Sequence, residues 1–331
     1  MRKYNYVVLG SEGLYKYSYS DLFELNDVEY APHFRTNINP IFRFLHRLHF
    51  SKEVNKRIKL PFKNIWNRFY FNFEFDNQNP ICFLFFSNWT ALNEEVGLTK
   101  YLRKKYPNCK TVWFLQDLYK NIKTIYNKQL DLNKARNEFD LIVSIDTDDC
   151  KKYGFYYHPL VFSSFHGVVK QMPQSDVYFL GKAKERLQDI IEVFKLLKSY
   201  NLKLDFHIVG VKEEQQVYAD EIHYIDSMDY GENLQHVIHT KCLLEIMQKG
   251  QIGYTQRAVE AVCLGKKLLT NNPIIKDAPF YKQEFISQFE EYTDIDIAFV
   301  NNIPNSEFID FQYKEKLSPI ELLDFIDEKL Q

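Results

Sequence analysis

Residues 245–266 read EIMQKGQIGYTQRAVEAVCLGK, a stretch that follows one predicted strand and opens a predicted helix. Gly250 and Gly253 permit a tight loop in which the backbone can approach a ligand closely. Thr255 is a residue type suited to cap the helix, which we expect over residues 258–264. The free amides and positive dipole end of such a helix attract a phosphate group, so the stretch predicts an anion site.

Two side chains in the first turns of this predicted helix suit a nucleotide. Arg257 could add a charge-assisted contact to a phosphate. Glu260 lies one turn further along, where its carboxylate could accept hydrogen bonds from two neighbouring ribose hydroxyls. An ordinary strand-loop-helix unit, with Thr255 capping and Glu260 in solvent, is the alternative that the spacing alone leaves open.

Short apolar runs alternate with helical patterns along the whole chain, which predicts a parallel α/β sheet. The predicted strands cover residues 6–9, 81–86, 111–115, 141–145, 177–180, 206–209, 243–247 and 267–270. The predicted helices cover residues 94–105, 185–200, 258–264 and 319–330. A polar stretch with a proline at 171–175 marks the expected boundary, giving one α/β domain over 1–172 and another over 173–331.

Composition bounds the class of protein. A chain of 331 residues suits two domains, and a formal charge of −2 excludes a uniformly basic nucleic-acid coat. A mean hydropathy of −0.39 and short apolar runs argue against an integral membrane protein, and the first residues read as a strand rather than a secretory signal. The five cysteines are widely spaced, which indicates reduced thiols of a cytoplasmic protein and neither a disulfide framework nor a zinc site.

The opening stretch resembles the donor-binding segment of GT-B glycosyltransferases, and in particular bacterial enzymes of lipopolysaccharide-core and capsule synthesis. The matching pieces are residues 248–251, 253–261 and 265–268, with a second motif at 144–160. The resemblance implies two Rossmann-like parallel-sheet domains facing a cleft. The first would bind the acceptor and the second a nucleotide-diphosphate sugar, with the last helix packing back on the first.

The resemblance also implies roles for single residues. Glu260 would hold the donor ribose, and Thr255 with its neighbours would hold the diphosphate. The loop after the first strand of the second half would face the cleft, and a basic side chain there would neutralise the leaving diphosphate, so that no metal or other cofactor is required. The donor-site candidates are Gly181, Lys184, Arg186, Gly253, Tyr254, Thr255, Arg257 and Glu260.

A general base is needed if the reaction inverts the anomeric carbon. Asp117, after the predicted strand at 111–115, is the first candidate and Glu12 is its rival, because open α/β sheets bind ligands at strand carboxyl ends. Many retaining GT-B enzymes carry Glu-x7-Glu, but Ile252 stands at the first position here, which favours inversion or leaves the stereochemistry open.

Residues 146–149 read DTDD and include the Asp-x-Asp motif with which GT-A transferases bind a divalent metal. Hard carboxylates suit magnesium or manganese. The same acids also suit the cap of a helix that begins near Cys150. We expect the capping role and therefore no metal site.

Residues 33–70 form a local anomaly, with nine basic residues, a single acid and a net charge of about +8. Aromatic residues interleave with the charges, a pattern that suits an anionic membrane surface or a phosphorylated lipid-linked acceptor. Single-stranded nucleic acid, or a solvated insertion packed on the core, are the other interpretations. The residues assigned to acceptor or membrane contact are Arg43, Arg47, Lys56, Arg57 and Trp66.

Taken together, these patterns predict a metal-independent glycosyltransferase on the inner face of the cytoplasmic membrane, with a nucleotide sugar and a lipid-linked or lipid A-core glycan as substrates and no nucleic-acid partner. A sugar-nucleotide epimerase of the same fold is one rival. A non-catalytic protein that docks on a membrane or nucleic acid through residues 33–70 is the other.

Overall fold

A computed structural model describes residues 2–10, 13–31, 39–58, 60–86, 93, 96–122, 129–248, 253–302 and 308–330. The chain folds into two compact units. The first contains Met1–Pro159 together with Pro319–Gln331, and the second contains Leu160–Ser318. The sequence placed the division near residue 172, but residues 160–172 group with the second unit because Phe162 and Lys170 hydrogen-bond Leu317 and Gln235 of that unit.

The first unit is built on a parallel sheet whose strands run in the order β2-β1-β3-β4-β5-β6 across its described residues. These strands are β1 (Asn5–Leu9), β2 (Val28–Ala31), β3 (Ile81–Phe86), β4 (Lys110–Leu115), β5 (Leu141–Ser144) and β6 (Tyr156–Tyr157). Every residue of β3 is buried, as expected for a continuous apolar strand covered on both faces.

The second unit carries another parallel sheet, with strand order β12-β11-β10-β7-β8-β9 in the part of the chain that is described. Its strands are β7 (Ser175–Lys182), β8 (Leu204–Val209), β9 (Ile222–Ile225), β10 (Thr240–Glu245), β11 (Lys267–Thr270) and β12 (Ile286–Gln288). Counted from β7, this is the Rossmann order, in which the winding direction reverses between the first and fourth strands. The switch point therefore lies between β7 and β10, where such sheets bind ligands.

Helices cover the sheets. In the first unit they are α1 (Leu14–Ser18), α2 (Pro40–Phe50), α3 (Lys52–Arg57), α4 (Asn67–Tyr70), α5 (Leu98–Lys105), α6 (Leu132–Glu138) and α7 (Thr147–Tyr153). The second unit contributes α8 (Leu187–Ser199), α9 (Tyr230–Ile238), α10 (Gln256–Cys263) and α11 (Ile297–Asn301), and α12 (Pro319–Lys329) closes the chain. None of the helices among the described residues is long and apolar enough to span a bilayer.

The predicted α/β class with two Rossmann-like domains is confirmed by these two sheets. Each predicted strand is present, and the prediction missed the short strands β2, β6, β9 and β12. The strand predicted over residues 177–180 is longer than expected, because β7 continues through Gly181 to Lys182.

The last helix, α12, belongs to the first unit. The hydroxyl of Tyr6 in β1 donates to the carbonyl of Leu323 over 3.0 Å, and Arg2 forms an ion pair with Asp324 at 2.8 Å. Within this helix, the side chains of Leu322, Leu323 and Ile326 are fully buried. All five cysteines are free thiols.

Candidate functional site

A cavity of about 370 Å³ opens toward the carboxyl ends of β7 and β10, at the switch point of the second sheet. Two strands, the start of α10 and the N-terminal part of α9 supply its walls. Its lining includes Phe179, Leu180, Arg186, Tyr230, Asn233, Leu244, Glu245, Thr255, Gln256, Arg257 and Glu260. The cavity lies where a Rossmann-type sheet binds its ligand, and its lining includes Thr255, Arg257 and Glu260 of the predicted anion site.

The N-terminus of α10 is capped as the sequence predicts. Gly253 adopts φ +111°, a conformation that favours glycine, and brings the chain to Thr255. The Thr255 hydroxyl oxygen accepts from the amides of Arg257 at 3.2 Å and Ala258 at 3.4 Å. Because the cap already satisfies these two amides, side chains have to provide much of any phosphate binding at this helix end.

Glu260 is buried rather than solvated, with 2% of its surface exposed. One carboxylate oxygen, Oε1, accepts from the Tyr230 hydroxyl, and Oε2 lies 3.8 Å from Nε of Arg257. Burial raises the pKa of the Glu260 carboxyl, and Arg257 and the Tyr230 hydrogen bond oppose that rise. An oriented carboxylate with unused lone pairs thus lies at the cavity wall.

Glu245 is a second buried carboxylate of the cavity, and the sequence analysis did not single it out. It is the last residue of β10, and it accepts from the hydroxyls of Thr255 and Thr270. Burial raises the pKa of the Glu245 carboxyl. Its contact with Thr255 ties the end of the strand to the cap of α10, so Glu245 positions the start of that helix.

Arg257 provides an unpaired donor at this site. Its Nη2 donates to the carbonyl of Leu180 over 3.1 Å, and its guanidinium lies 5.4 Å from the ring centre of Tyr178. Its Nη1 is buried without a hydrogen-bond partner among the described residues. A buried donor of this kind costs free energy unless a ligand satisfies it.

Arg186 is the second arginine at the cavity. It donates through Nη1 to the carbonyl of Ile246 and through Nε to that of Lys182, the latter over 3.1 Å. Burial lowers the pKa of the Arg186 guanidinium. A Cβ on Gly181 would lie 2.8 Å from Nη2 of Arg186, so a larger residue at this position of β7 would require the arginine side chain to shift.

Four of the predicted donor residues do not line the cavity: Gly181, Lys184, Gly253 and Tyr254. Nζ of Lys184 donates to Oε1 of Gln248 over 2.6 Å instead. The ring of Tyr254 packs edge-on against Phe280, with the two ring centres 5.3 Å apart. Gly181 leaves room for the side chain of Arg186, and Gly253 adopts a positive φ.

The two candidates for a general base lie in the first unit. Asp117 follows β4, is exposed, and accepts through Oδ1 from the amide of Leu118 at 2.7 Å and from Asn121 at 2.9 Å. Its position after a strand agrees with the prediction, and its catalytic role stays a prediction. Glu12 lies outside the described residues.

Among the acids at 146–149, Asp146 caps α7 as expected, and Asp149 contacts a different segment. Asp146 accepts from the amide of Asp149 over 2.7 Å, and Asp149 accepts from the amide of Tyr119 over 2.6 Å. Within the described ranges these acids are not part of any group of three or more side chains at metal-ligand separation.

The basic segment separates into exposed and buried residues. Arg43, Arg47 and Arg57 are exposed on α2 and α3, whereas the side chain of Lys56 lies outside the described residues. Trp66 does not suit the surface contact that the sequence predicted: it is 8% exposed, and its Nε1 donates to Nδ1 of His49 over 2.9 Å. Its ring packs in the core of the first unit and supports α2 from beneath.

Helix α2 turns an apolar stripe toward solvent. Ile41, Phe44, Leu45 and Leu48 follow the i, i+3, i+4, i+7 spacing of one helix face, and all four are exposed, Ile41 by 67% and Phe44 by 65%. His46 on the opposite face is buried. An apolar stripe of this kind beside exposed arginines is typical of helices that lie in a membrane interface.

Neither a protein-family model nor a curated protein matches the chain. Among solved structures, the glycosyltransferase SnogD from Streptomyces nogalater is similar over 98% of this chain and 99% of its own, with 8% identity and a TM-score of 0.43. The DNA-modifying enzyme β-glucosyltransferase, solved with and without uridine diphosphoglucose, is similar over 98% and 96%, with 12% identity and a TM-score of 0.41. A chain of the GtfA/B complex is matched over 75% of this chain and 58% of its own, with 12% identity and a TM-score of 0.37.

Likeness at this level bears on neither activity nor substrate. The strand order of the two sheets shows the fold. The cavity and its side chains indicate the kind of ligand.

Proposed function

We propose that this protein is a glycosyltransferase that takes its sugar from a nucleotide-diphosphate donor bound by the second unit. The observation that carries the proposal is the cavity at the switch point between β7 and β10, where a buried carboxylate and two arginines meet the start of α10. Such a site combines acceptors for ribose hydroxyls with cationic donors for a diphosphate.

The side chains divide the work of donor binding. Glu260, oriented by Tyr230 and Arg257, would accept the hydrogen bonds of the ribose hydroxyls. The unpaired Nη1 of Arg257 would bind a phosphate oxygen. Arg186 would add positive charge as the nucleotide diphosphate departs, which is the stabilisation a leaving group needs when no metal supplies it.

The acceptor belongs to the first unit in this proposal. Transfer to a lipid-linked glycan would place the protein at an anionic membrane surface, and the exposed stripe of α2 with Arg43 and Arg47 suits that surface. Asp117 remains the candidate for the base that accepts the proton of the acceptor hydroxyl.

Calorimetric titration with UDP, GDP and dTDP, each with and without EDTA, tests the proposal. We expect one of the three to bind equally well in both conditions, and the Glu260→Ala variant to bind it about ten- to a hundredfold more weakly. Glu192→Ala, which removes a carboxylate of α8 outside the cavity, is the control and should bind normally.

Three results would count against the proposal. Absence of binding by all three nucleotides contradicts a donor site of this kind, and binding that requires metal contradicts the role given to the arginines. Conversion of a nucleotide sugar without any acceptor would identify an epimerase instead.

A further inference from the structure

A cluster of imidazole and carboxylate groups lies on the second unit away from the donor cavity. Asp205 and His207 are two residues apart on β8, so their side chains share one face of the sheet. His223 on the neighbouring strand β9 is in register with His207, and His236 belongs to α9. None of these four lines the cavity described above.

Asp205 links two of the histidines, and the third stacks on one of these two. Its Oδ1 is 2.7 Å from Nε2 of His207, and its Oδ2 is 2.6 Å from Nδ1 of His236. The rings of His207 and His223 stack with centres 4.7 Å apart and an interplanar angle of 21°. Asp205, His207 and His223 each offer one ligand atom, and these atoms lie within 4.8 Å of one another.

The imidazole of His207 is largely buried, with Nε2 turned toward Asp205. Its side chain is 9% exposed, and its Nδ1 is buried without a hydrogen-bond partner among the described residues. An unsatisfied buried polar atom is uncommon in folded proteins.

We propose that Asp205, His207 and His223 bind a divalent transition-metal ion of the zinc type. Two imidazoles and a carboxylate are ligands that zinc accepts. His236, hydrogen-bonded to the carboxylate, matches the outer partners that hold metal-ligating groups in place.

Binding requires a small local adjustment. Ligand atoms around a tetrahedral zinc ion are about 3.3 Å apart, given bonds of about 2.0–2.1 Å. The ring of His223 is exposed and can turn toward the ion, while the contact between Oδ1 of Asp205 and Nε2 of His207 widens from 2.7 Å as the ion takes the place of the shared proton. Because β9 is the edge strand of the sheet, the ion would fasten it to β8, a structural role that does not depend on the proposed glycosyl transfer.

Titration of the metal-stripped full-length protein with Zn²⁺ and Co²⁺ tests this site. We expect one ion per chain, visible Co²⁺ absorption bands of a four-coordinate site, and a higher melting temperature when Zn²⁺ is added, because the ion binds the folded state. His223→Ala removes one ligand from an exposed position that the fold does not need. Its affinity should fall by more than the roughly 10- to 100-fold that the loss of an outer partner costs.

His166→Ala is the matched control, since it removes an exposed histidine outside the cluster and should bind Zn²⁺ as the unaltered protein does. Equal binding by His223→Ala and the unaltered protein would overturn the proposal, as would the lack of a four-coordinate Co²⁺ spectrum. Nucleotide titration of the same variants distinguishes the two proposals, because loss of the zinc site leaves the donor cavity intact.

Discussion

Glu260 is a carboxylate that the protein keeps buried at a free-energy cost. Taking a carboxylate out of water raises the pKa of the group, and the Tyr230 hydroxyl and the Arg257 guanidinium offset part of that effect. The cost has a purpose if the carboxylate is held ready for the hydroxyls of a ligand. A solvated glutamate would have to give up its water and its rotational freedom at each binding event.

This burial predicts how stability depends on pH. The pKa of Glu260 in the folded state lies above its usual value of 4.5, so the stabilisation is complete below pH 4.5 and is lost as the pH rises through the folded pKa. Glu260→Gln does not titrate. The unaltered protein should therefore lose free energy of unfolding relative to this variant as the pH rises above about 4.5, by at most about 1.4 kcal/mol per pH unit.

Urea unfolding of both proteins across that pH range measures the difference. A constant difference between them at all pH values would contradict the raised pKa.

At the scale of the element, the start of α10 depends on one hydroxyl with two functions. The Thr255 oxygen accepts from two amides of the helix, and its hydrogen goes to the buried Glu245 at the end of β10. The helix that carries Arg257 and Glu260 is therefore fixed to the strand that forms the switch point. The residue that caps α10 thus also contacts a residue of the cavity wall.

Thr255→Ala should reveal this double function. Loss of the cap costs about 1 kcal/mol, and Glu245 loses a hydroxyl donor as well, so the free energy of unfolding should fall by about 2 kcal/mol. Thr255→Ser keeps the hydroxyl and should stay close to the unaltered protein. Urea unfolding and nucleotide titration check both variants, and an alanine variant as stable as the serine variant would disprove the coupling.

Helix α2 has an exposed apolar stripe that no described residue of the first unit covers. Arg43 and Arg47 are one turn apart on the same helix. In an interfacial helix, apolar side chains enter the acyl boundary while basic side chains contact anionic headgroups. The proposed membrane contact of the first unit would therefore lie on this helix.

Phe44→Ser should weaken binding to vesicles that contain phosphatidylglycerol by about tenfold, since one exposed phenylalanine provides about 1.5–3 kcal/mol when buried. Tyr200→Ser, which alters an exposed aromatic residue of the second unit, is the control. Co-sedimentation with vesicles measures the effect, and high salt should weaken the arginine contribution. Equal binding by the two variants would rule out α2 as the membrane contact.

At the scale of the whole molecule, the sequence was informative where a signal is local. Continuous apolar runs predict β3 and β4 because both strands are buried on both faces. The residue type at position 255, a threonine before a helix, predicts the N-cap. The edge strands β9 and β12 were missed because they are short and partly polar.

Contacts between distant segments could not be predicted in this way. Tyr230 reaches Glu260 across 30 positions, and no spacing rule announces that hydrogen bond. Arg186 likewise lies close to Gly181 of β7, where a Cβ would come to 2.8 Å from its Nη2, and the sequence does not reveal this proximity.

The first unit combines two segments that are far apart in sequence. Helix α12 follows the second unit in sequence, yet it belongs to the first unit, where its Leu323 carbonyl accepts from Tyr6 of β1 and its leucines are buried. Leu323→Ala should remove about 2–5 kcal/mol from the stability of the first unit. Leu269→Ala, in β11, should act on the second unit in the same way, because Leu269 is equally buried in a separate core.

Hydrogen exchange read by mass spectrometry distinguishes the two variants. Leu323→Ala should speed exchange in β1 and β3 and leave β7, β10 and nucleotide affinity unchanged, whereas Leu269→Ala should show the reverse pattern. If Leu323→Ala exposed the amides of β7 and β10 as strongly as those of β1, the two units would open together. The terminal helix would then support the whole chain and not the first unit alone.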